Sequence, residues 1–123
     1  LTVRTTGPAV VRGSEPLLFR MLFNLGENAI KYTPAAGRVE ISLDSLGSQV
    51  RLVVRDSGVG ISPEERGRIF DRFQRGDRAR GRGGTGLGLA LVRSIVLLHH
   101  GRIHLDSTVG TGTTFSVTFM RNL

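Results

Sequence analysis

No cysteine occurs anywhere in the chain, which excludes a disulfide framework and agrees with a cytosolic setting. Aromatic residues are scarce at 6%, and lysine is scarcer still, with Lys31 alone among seventeen basic side chains. No apolar run approaches the ~20 residues that a membrane span needs. The chain as read also shows neither a signal peptide nor a lipidation motif. What is present is an ordinary globular composition, 39% hydrophobic, in 123 residues. That length makes one domain, able to bury on the order of 65% of its extended-chain surface. Its abrupt start in a strand-like stretch points to a chain cut from something longer.

Seventeen basic residues against ten acidic ones give a formal charge of +7. Such a balance suits nucleic acid, an acidic lipid surface or a phosphorylated ligand. The arginines are spread along the whole chain, with one concentration at Arg75, Arg78, Arg80 and Arg82. No aromatic residues alternate with them for base stacking and no recognition-helix pattern accompanies them, which speaks against direct nucleic-acid binding.

Residues 1–12 read as a strand or hairpin around a Gly7-Pro8 turn. Ser14, with Glu15 and Pro16 after it, caps a helix that Thr33-Pro34 stops. In that helix Leu18, Met21, Leu22, Leu25, Ala29 and Ile30 form the expected apolar side, while Asn24, Asn28 and Lys31 stack on another. Val39, Ile41 and Leu43 alternate with polar residues, as do Val50, Leu52, Val54 and Asp56, so the two stretches form a hairpin through Leu46-Gly47-Ser48. Ser62-Pro63-Glu64-Glu65 is a capping box opening a short helix through Ile69-Phe70 to Phe73. Residues 74–85 lack apolar periodicity and read as a mobile loop. A helix from near Gly86 to His99 follows, with Leu87, Ala90, Leu91, Ser94, Ile95 and Leu98 inward. Strands at Arg102–Ser107 (Ile103 and Leu105 inward) and Thr113–Met120 (Phe115, Val117 and Phe119 inward) close the chain. Three helices alternating with a mostly antiparallel sheet predict an α/β two-layer sandwich.

Four segments stand out against this background. Two amides and an ammonium at Asn24, Asn28 and Lys31 suit a hydrated cation and a polyphosphate, because an amide oxygen ligates Mg²⁺ without adding charge. A solvated polar stripe is the alternative. Asp56-Ser57-Gly58-Val59-Gly60 puts an acid at the inner end of a core-facing strand, where a carboxylate must find a partner. The exocyclic amine of a nucleobase is one such partner, and an Asx turn is the simpler explanation. Gly84-Thr85-Gly86-Leu87-Gly88 lies at a loop-to-helix junction, where free amides make an anion site. It follows no strand and lacks the Gly-Lys-Ser/Thr of a P-loop, so it is neither a dinucleotide fingerprint nor a Walker loop. Gly110-Thr111-Gly112-Thr113 opens the last strand with hydroxyls that could bond to a base or to a water beside Asp56, and a β-turn followed by a threonine-rich strand is the simpler explanation.

In this order Asn24–Tyr32, Asp56–Gly60, Phe70-Asp71-Arg72-Phe73, Gly84–Gly88 and Gly110–Thr113 resemble the N, G1, F, G2 and G3 boxes of the catalytic ATP-binding domain of bacterial sensor histidine kinases. These belong to the gyrase, Hsp90, histidine kinase and MutL superfamily. The resemblance covers nearly the whole chain and implies the Bergerat fold, three helices on a mixed five-stranded sheet with a flexible ATP lid. On it, residues 1–123 are one catalytic domain with its lid at about 74–85, and the dimerisation and sensor domains are absent from the chain.

The resemblance makes Asn28 the Mg²⁺ ligand, Lys31 a phosphate contact and Tyr32 a flank for adenine. Asp56 would accept from the adenine amino group, Gly58, Gly60 and Ile61 would shape that pocket, and Thr113 would hold a bridging water. Phe70 and Phe73 complete the nucleotide site, while Gly84, Thr85, Gly86, Leu87 and Gly88 meet the phosphates. Arg75 would reach the terminal phosphate, so Asn28, Lys31 and Arg75 are the candidate catalytic residues. Asn24 takes the place where ATP-hydrolysing branches of the superfamily carry a water-activating glutamate, and an amide has no useful basicity. Glu27 is better placed for an i,i+4 pair with Lys31.

None of His99, His100 and His104 is followed by an acid with nearby Arg and Pro, as the family's phosphoacceptor is. All three read as structural or exposed. The implied function is therefore transfer of the γ-phosphoryl group of Mg·ATP to a histidine on a separate dimerisation domain, and indirectly to a response regulator. The implied location is the cytoplasmic side of a membrane-anchored sensor, with no membrane or nucleic-acid contact by this domain, which alone would be a monomer. A non-catalytic nucleotide-binding or interaction module, another ATPase of the superfamily and a basic nucleic-acid binder remain the alternatives.

Overall fold

The computed structural model describes residues 1–5, 11–67, 69–70 and 88–120. Five strands form one sheet in the order β1-β2-β3-β5-β4: β1 (Thr2–Thr5), β2 (Val39–Leu46), β3 (Gln49–Asp56), β4 (Arg102–Thr108) and β5 (Gly112–Met120). β1 runs parallel to β2, and every other pair is antiparallel. Helices α1 (Glu15–Lys31), α2 (Pro63–Arg66) and α3 (Gly88–Leu98) complete the described elements. None of the helices among the described residues is long and apolar enough to cross a membrane. The result is the expected two-layer sandwich on a mixed sheet.

Strand parity holds along β3 and β5. Val50, Leu52 and Val54 share one buried face with Phe115, Val117 and Phe119, while Arg51, Arg55 and Met120 are exposed on the other. The β2–β3 ladder runs in register from Val39↔Asp56 to Leu46↔Gln49, so Gly47 and Ser48 alone make the turn. Gly47 takes φ +59°, the sign that a two-residue hairpin turn requires and glycine adopts freely.

Helix α1 starts where the chain dictates: the Ser14 Oγ accepts the Leu17 N–H at 3.3 Å, with Pro16 in the first turn. It ends as Thr33 Oγ1 donates to the Ala29 carbonyl at 2.7 Å. Its buried residues are Met21, Leu25 and Ala29, with Leu17 and Leu18 packed alongside. Each wholly buried large side chain, such as Leu25, Val117 or Phe115, contributes roughly 1.5–3 kcal/mol. Leu22 and Ile30, expected inward, are exposed.

In α3 the expected inward side holds at Ile95 and in part at Ala90, and fails at Leu91, Ser94 and Leu98. Val92, Ile95 and Val96 are buried and Leu89 packs against them, whereas Leu91, Ser94 and Leu98 face solvent. The helix is apolar nearly all round, so periodicity gives its phase little to hold on to. Packing chooses the β-branched residues. The short helix also stops earlier than the expected Phe73, because Gly67 caps α2 after Arg66. Half of its capping box is formed, with Ser62 Oγ accepting from the Glu65 N–H at 3.3 Å, while the Glu65 carboxylate takes the Ser62 hydroxyl proton at 3.1 Å in place of the backbone N–H.

Two contacts hold α1 and α3 antiparallel. At one end His99 Nε2 accepts the Ser14 N–H at 3.0 Å while Nδ1 lies 2.8 Å from the Ile95 carbonyl. An amide can only donate and a carbonyl only accept, so the ring is the neutral Nδ1–H tautomer. At the other end the Asn24 amide nitrogen donates to the Gly88 carbonyl at 3.4 Å. His99 is therefore structural, a staple between the last turn of α3 and the cap of α1.

His100 follows it with φ 58° and closes α3 in a Schellman motif, with Gly101 N–H to Val96 O at 2.9 Å and His100 N–H to Leu97 O at 3.0 Å. A side chain in this left-handed position is strained where glycine is not. The variant His100→Gly should be more stable by about 1 kcal/mol, read as a higher denaturant midpoint at unchanged slope.

Candidate functional site

One rung of the sheet organises the site. On the helix-facing side, the register places Val39, Asp56, Thr113 and Ser107 next to one another across β2, β3, β5 and β4. Asp56, Thr113 and Ser107 are the buried polar residues of the described chain, none more than 4% exposed. Burial of an ionisable group at that level demands hydrogen bonds. Asp56 Oδ1 accepts the Gly58 N–H at 2.9 Å, so the Asx turn read from the sequence is formed, and the buried carboxylate is formed with it.

The loop that Asp56 starts docks on the end of α1. The Val59 N–H points to the Tyr32 carbonyl at 3.4 Å, and a Cβ at Gly58 would overlap that same carbonyl. Tyr32 is itself buried at the α1 C-cap. Asn28 lies one turn earlier, with its amide Nδ2 buried and, among the described residues, the one such side-chain atom without a hydrogen-bond partner. Lys31 sits on the same helix end and meets Glu27 at 3.7 Å, the expected i,i+4 pair, with both side chains substantially exposed.

The third segment interlocks with the second. Gly110 N–H donates to the Val59 carbonyl at 2.9 Å, and a Cβ on Gly60 (φ +78°) would overlap the Thr108 carbonyl. A Cβ on Gly112 (φ +139°) would overlap the carbonyl of Asp56 itself. Ile61, buried, donates its N–H to Ser107 Oγ at 2.8 Å. Phe70 packs edge-on against Phe115, ring centroids 6.2 Å apart.

Contacts link Asn24 to Gly88, Tyr32 to Gly58 and Val59, Asp56 to Gly58, and Ile61 through Ser107 to Thr113, with Gly60 against Thr108 and Phe70 against Phe115, while Asn28 and Lys31 lie on the helix end that leads into Tyr32. Phe73, Arg75, Gly84, Thr85, Gly86 and Leu87, with the lid expected at 74–85, lie outside the described residues. Asn24 has a second reason to be an amide: its nitrogen must donate to the Gly88 carbonyl, which a carboxylate cannot do. Ser107 was missed. Its signal was parity, since it continues the inward series of Ile103 and Leu105 as a polar residue on an apolar face.

The metal expectation can be set against the donors present. Among the described residues no group of three or more His, Cys, Asp or Glu side chains could hold a metal ion. The donor expected for the ion is the Asn28 amide oxygen, an uncharged ligand, and Mg²⁺ suits such a donor, since it is commonly bound through few protein ligands together with substrate phosphates. The residues fit a magnesium that arrives with a polyphosphate.

Residues 13–122 match the profile of the histidine kinase-, DNA gyrase B- and HSP90-like ATPases. The chain is 45% identical to the sensor-like histidine kinase SenX3 of Mycobacterium tuberculosis over 121 residues, 95% of this chain and 30% of that protein. It is 42% identical to the sensor histidine kinase RppB of Synechocystis over 115 residues, 92% of this chain and 25% of that protein. The chain therefore spans about a third or less of the length of these curated relatives. Its fold superposes on the mycobacterial sensor histidine kinase MprB with a TM-score of 0.88 at 36% identity, covering 99% of this chain and 84% of that one. For the catalytic domain of the histidine kinase ThkA the TM-score is 0.83 at 26% identity, covering 98% and 77%.

The interlocked glycines allow a direct check of the rung. Gly112→Ala combines a strained φ with overlap on the Asp56 backbone and should cost about 2–3 kcal/mol or more. Gly110→Ala, with φ +84° but open space around it, should cost only about 1 kcal/mol. Urea unfolding of the two variants measures the difference.

Proposed function

The chain belongs to the histidine kinase-, DNA gyrase B- and HSP90-like ATPase family, and within it to the catalytic domains of sensor histidine kinases, and on that footing we propose that it holds Mg·ATP and donates the γ-phosphoryl group to a histidine on a separate dimerisation domain. In this reading residues 1–123 are the catalytic domain of a larger, membrane-anchored protein, whose phosphohistidine then serves a response regulator.

The observation that carries the proposal is the buried Asp56 carboxylate beside Thr113 on the sheet, joined through the Gly58–Val59 loop to the helix end that bears Asn28 and Lys31. A carboxylate accepts from an exocyclic amine, so Asp56 recognises the adenine amino group, and Tyr32, Ile61 and Phe70 supply apolar surface around the base. Asn28 would hold magnesium through its uncharged oxygen, and the ion would neutralise developing charge on the phosphates. Lys31 supplies a mobile positive charge for phosphate oxygens, and Arg75 a planar guanidinium for the terminal one.

Phosphoryl transfer needs positioning and charge neutralisation more than covalent chemistry. An amide at Asn24 leaves the end of α1 without a base to activate water, which favours transfer to a protein acceptor over hydrolysis. Glu27 is directed to Lys31, away from that task.

Calorimetric titration tests the binding half of the proposal. The unmodified domain should bind Mg·ATP, Asp56→Asn should weaken it roughly 10- to 100-fold through loss of a charged hydrogen bond, and Asn28→Ala should bind ATP equally with and without magnesium. Labelled ATP tests the transfer half: acid-labile label should appear on the added dimerisation domain of the same kinase, and stable label on this domain alone would refute it.

A further inference from the structure

The face of the sheet turned away from the helices carries a hollow of about 480 Å³, within the roughly 300–1,000 Å³ of small-molecule sites. The side chains that give it charge stand one step along each strand from the buried Val39, Asp56, Thr113 and Ser107, so they lie on the opposite face. Their row reads Glu40, Arg55, Thr114 and Asp106 across β2, β3, β5 and β4. Arg38 extends it just before β2: its N–H donates to Ser57 Oγ at 2.7 Å, and its carbonyl accepts the Ser57 N–H at 2.9 Å. That makes Arg38 a diagonal neighbour of Arg55, close enough for two long side chains to share a ligand.

The charges around the hollow are not used up within the sheet. Glu40, the direct cross-strand neighbour of Arg55, gives its carboxylate to Arg4 of β1 at 2.9 Å. Among the described residues the side chains of Arg38, Arg55 and Asp106 have no ion pair and no hydrogen bond, and all three residues are exposed. Arg55 and Asp106 do not meet, since β5 lies between them and sets their backbones two strand spacings, about 10 Å, apart. The hollow therefore has a cationic bank of two guanidiniums and an anionic bank of one carboxylate. The rest of the lining includes the hydroxyls of Thr108, Thr111 and Thr114, with Gly112 adding no side chain.

A lone anion in this hollow is attracted by the arginines and repelled by Asp106, and a lone cation meets the reverse. We infer that the hollow is a second ligand site, for a small zwitterion whose carboxylate or phosphate is held by Arg38 and Arg55 and whose ammonium is held by Asp106. The threonine hydroxyls, able to donate or accept, serve the uncharged middle of such a molecule. The inference is independent of the nucleotide reading, because none of these three charged side chains is proposed to hold ATP.

Calorimetric titration of the domain tests this with 6-aminohexanoate and phosphoethanolamine as zwitterions, and with hexanoate and hexylamine as the isolated charges. At least one zwitterion should bind about tenfold or more tightly than either isolated charge, the factor that one charged hydrogen bond supplies. Which zwitterion binds tighter tells a carboxylate ligand from a phosphate one. Arg55→Gln and Asp106→Asn should each remove that advantage, and because both positions are exposed the variants should unfold at the same temperature as the unmodified domain. If either variant does not unfold cooperatively, Arg38→Gln carries the comparison. Hexanoate binding as tightly as 6-aminohexanoate, with Asp106→Asn unaffected, would mean general attraction to a chain of charge +7 and would overturn the inference. So would the absence of binding heat from both zwitterions in the millimolar range.

Discussion

A carboxylate enclosed in the apolar face of a sheet is the constraint around which the rest of this domain is arranged. Asp56 continues the inward series Val50, Leu52, Val54, so the chain has no choice of side once β3 pairs in register. Its charge must be answered locally, and the answer is a turn: the next two residues fold back so that the Gly58 amide reaches Oδ1. That turn in turn requires a glycine, because the Tyr32 carbonyl occupies the space a side chain would fill. One buried acid thus dictates the path of the loop and its landing place on α1.

From there the constraint spreads through backbone contacts. The loop from Asp56 to Ile61 is held on one side by the end of α1 and on the other by the β4–β5 turn, where Gly110 donates to Val59 and Ser107 accepts from Ile61. Helix α1 is pinned at its start by His99 and in its second half by the Asn24 contact to Gly88. The residues proposed for phosphate and metal therefore sit on a helix fixed to α3 and to the sheet. A site built this way is preorganised, since its polar groups are oriented by bonds already made before any ligand arrives. The unpartnered Asn28 nitrogen is the exception, at the helix end proposed to meet the phosphates.

Much of this was legible in the chain because it depends on short periods and local chemistry. Period-two alternation placed β2, β3 and β5 and put Asp56 on the inner face. Side-chain oxygens one turn ahead of apolar stretches marked the starts of α1 and α2 at Ser14 and Ser62. The Glu27–Lys31 pair follows from helix spacing alone. The errors share a cause as well. Helix α3 is apolar on most sides, so its own pattern could not say which side faces the sheet, and Leu91 and Leu98 turned out exposed where Val92 and Val96 are buried. On α1 the apolar arc is wider than the surface available to cover it, which leaves Leu22 and Ile30 outside. In α2 the capping box marks a start but not a length, and Gly67 ends the helix within one turn.

By itself, then, the amino-acid order determined the kinds and order of the elements, the inward direction of Asp56, and the spacing of Asn24, Asn28 and Lys31 on one helix, because each follows from neighbours within a few residues. Only the tertiary structure decided which strands adjoin. That put Asp56, Thr113 and Ser107 on one rung although β3, β4 and β5 are separated along the chain, and it brought the two hydroxyls within hydrogen-bond distance. Hydrogen bonding across a sheet is a property of register and burial together, and neither exists until distant segments have come into contact.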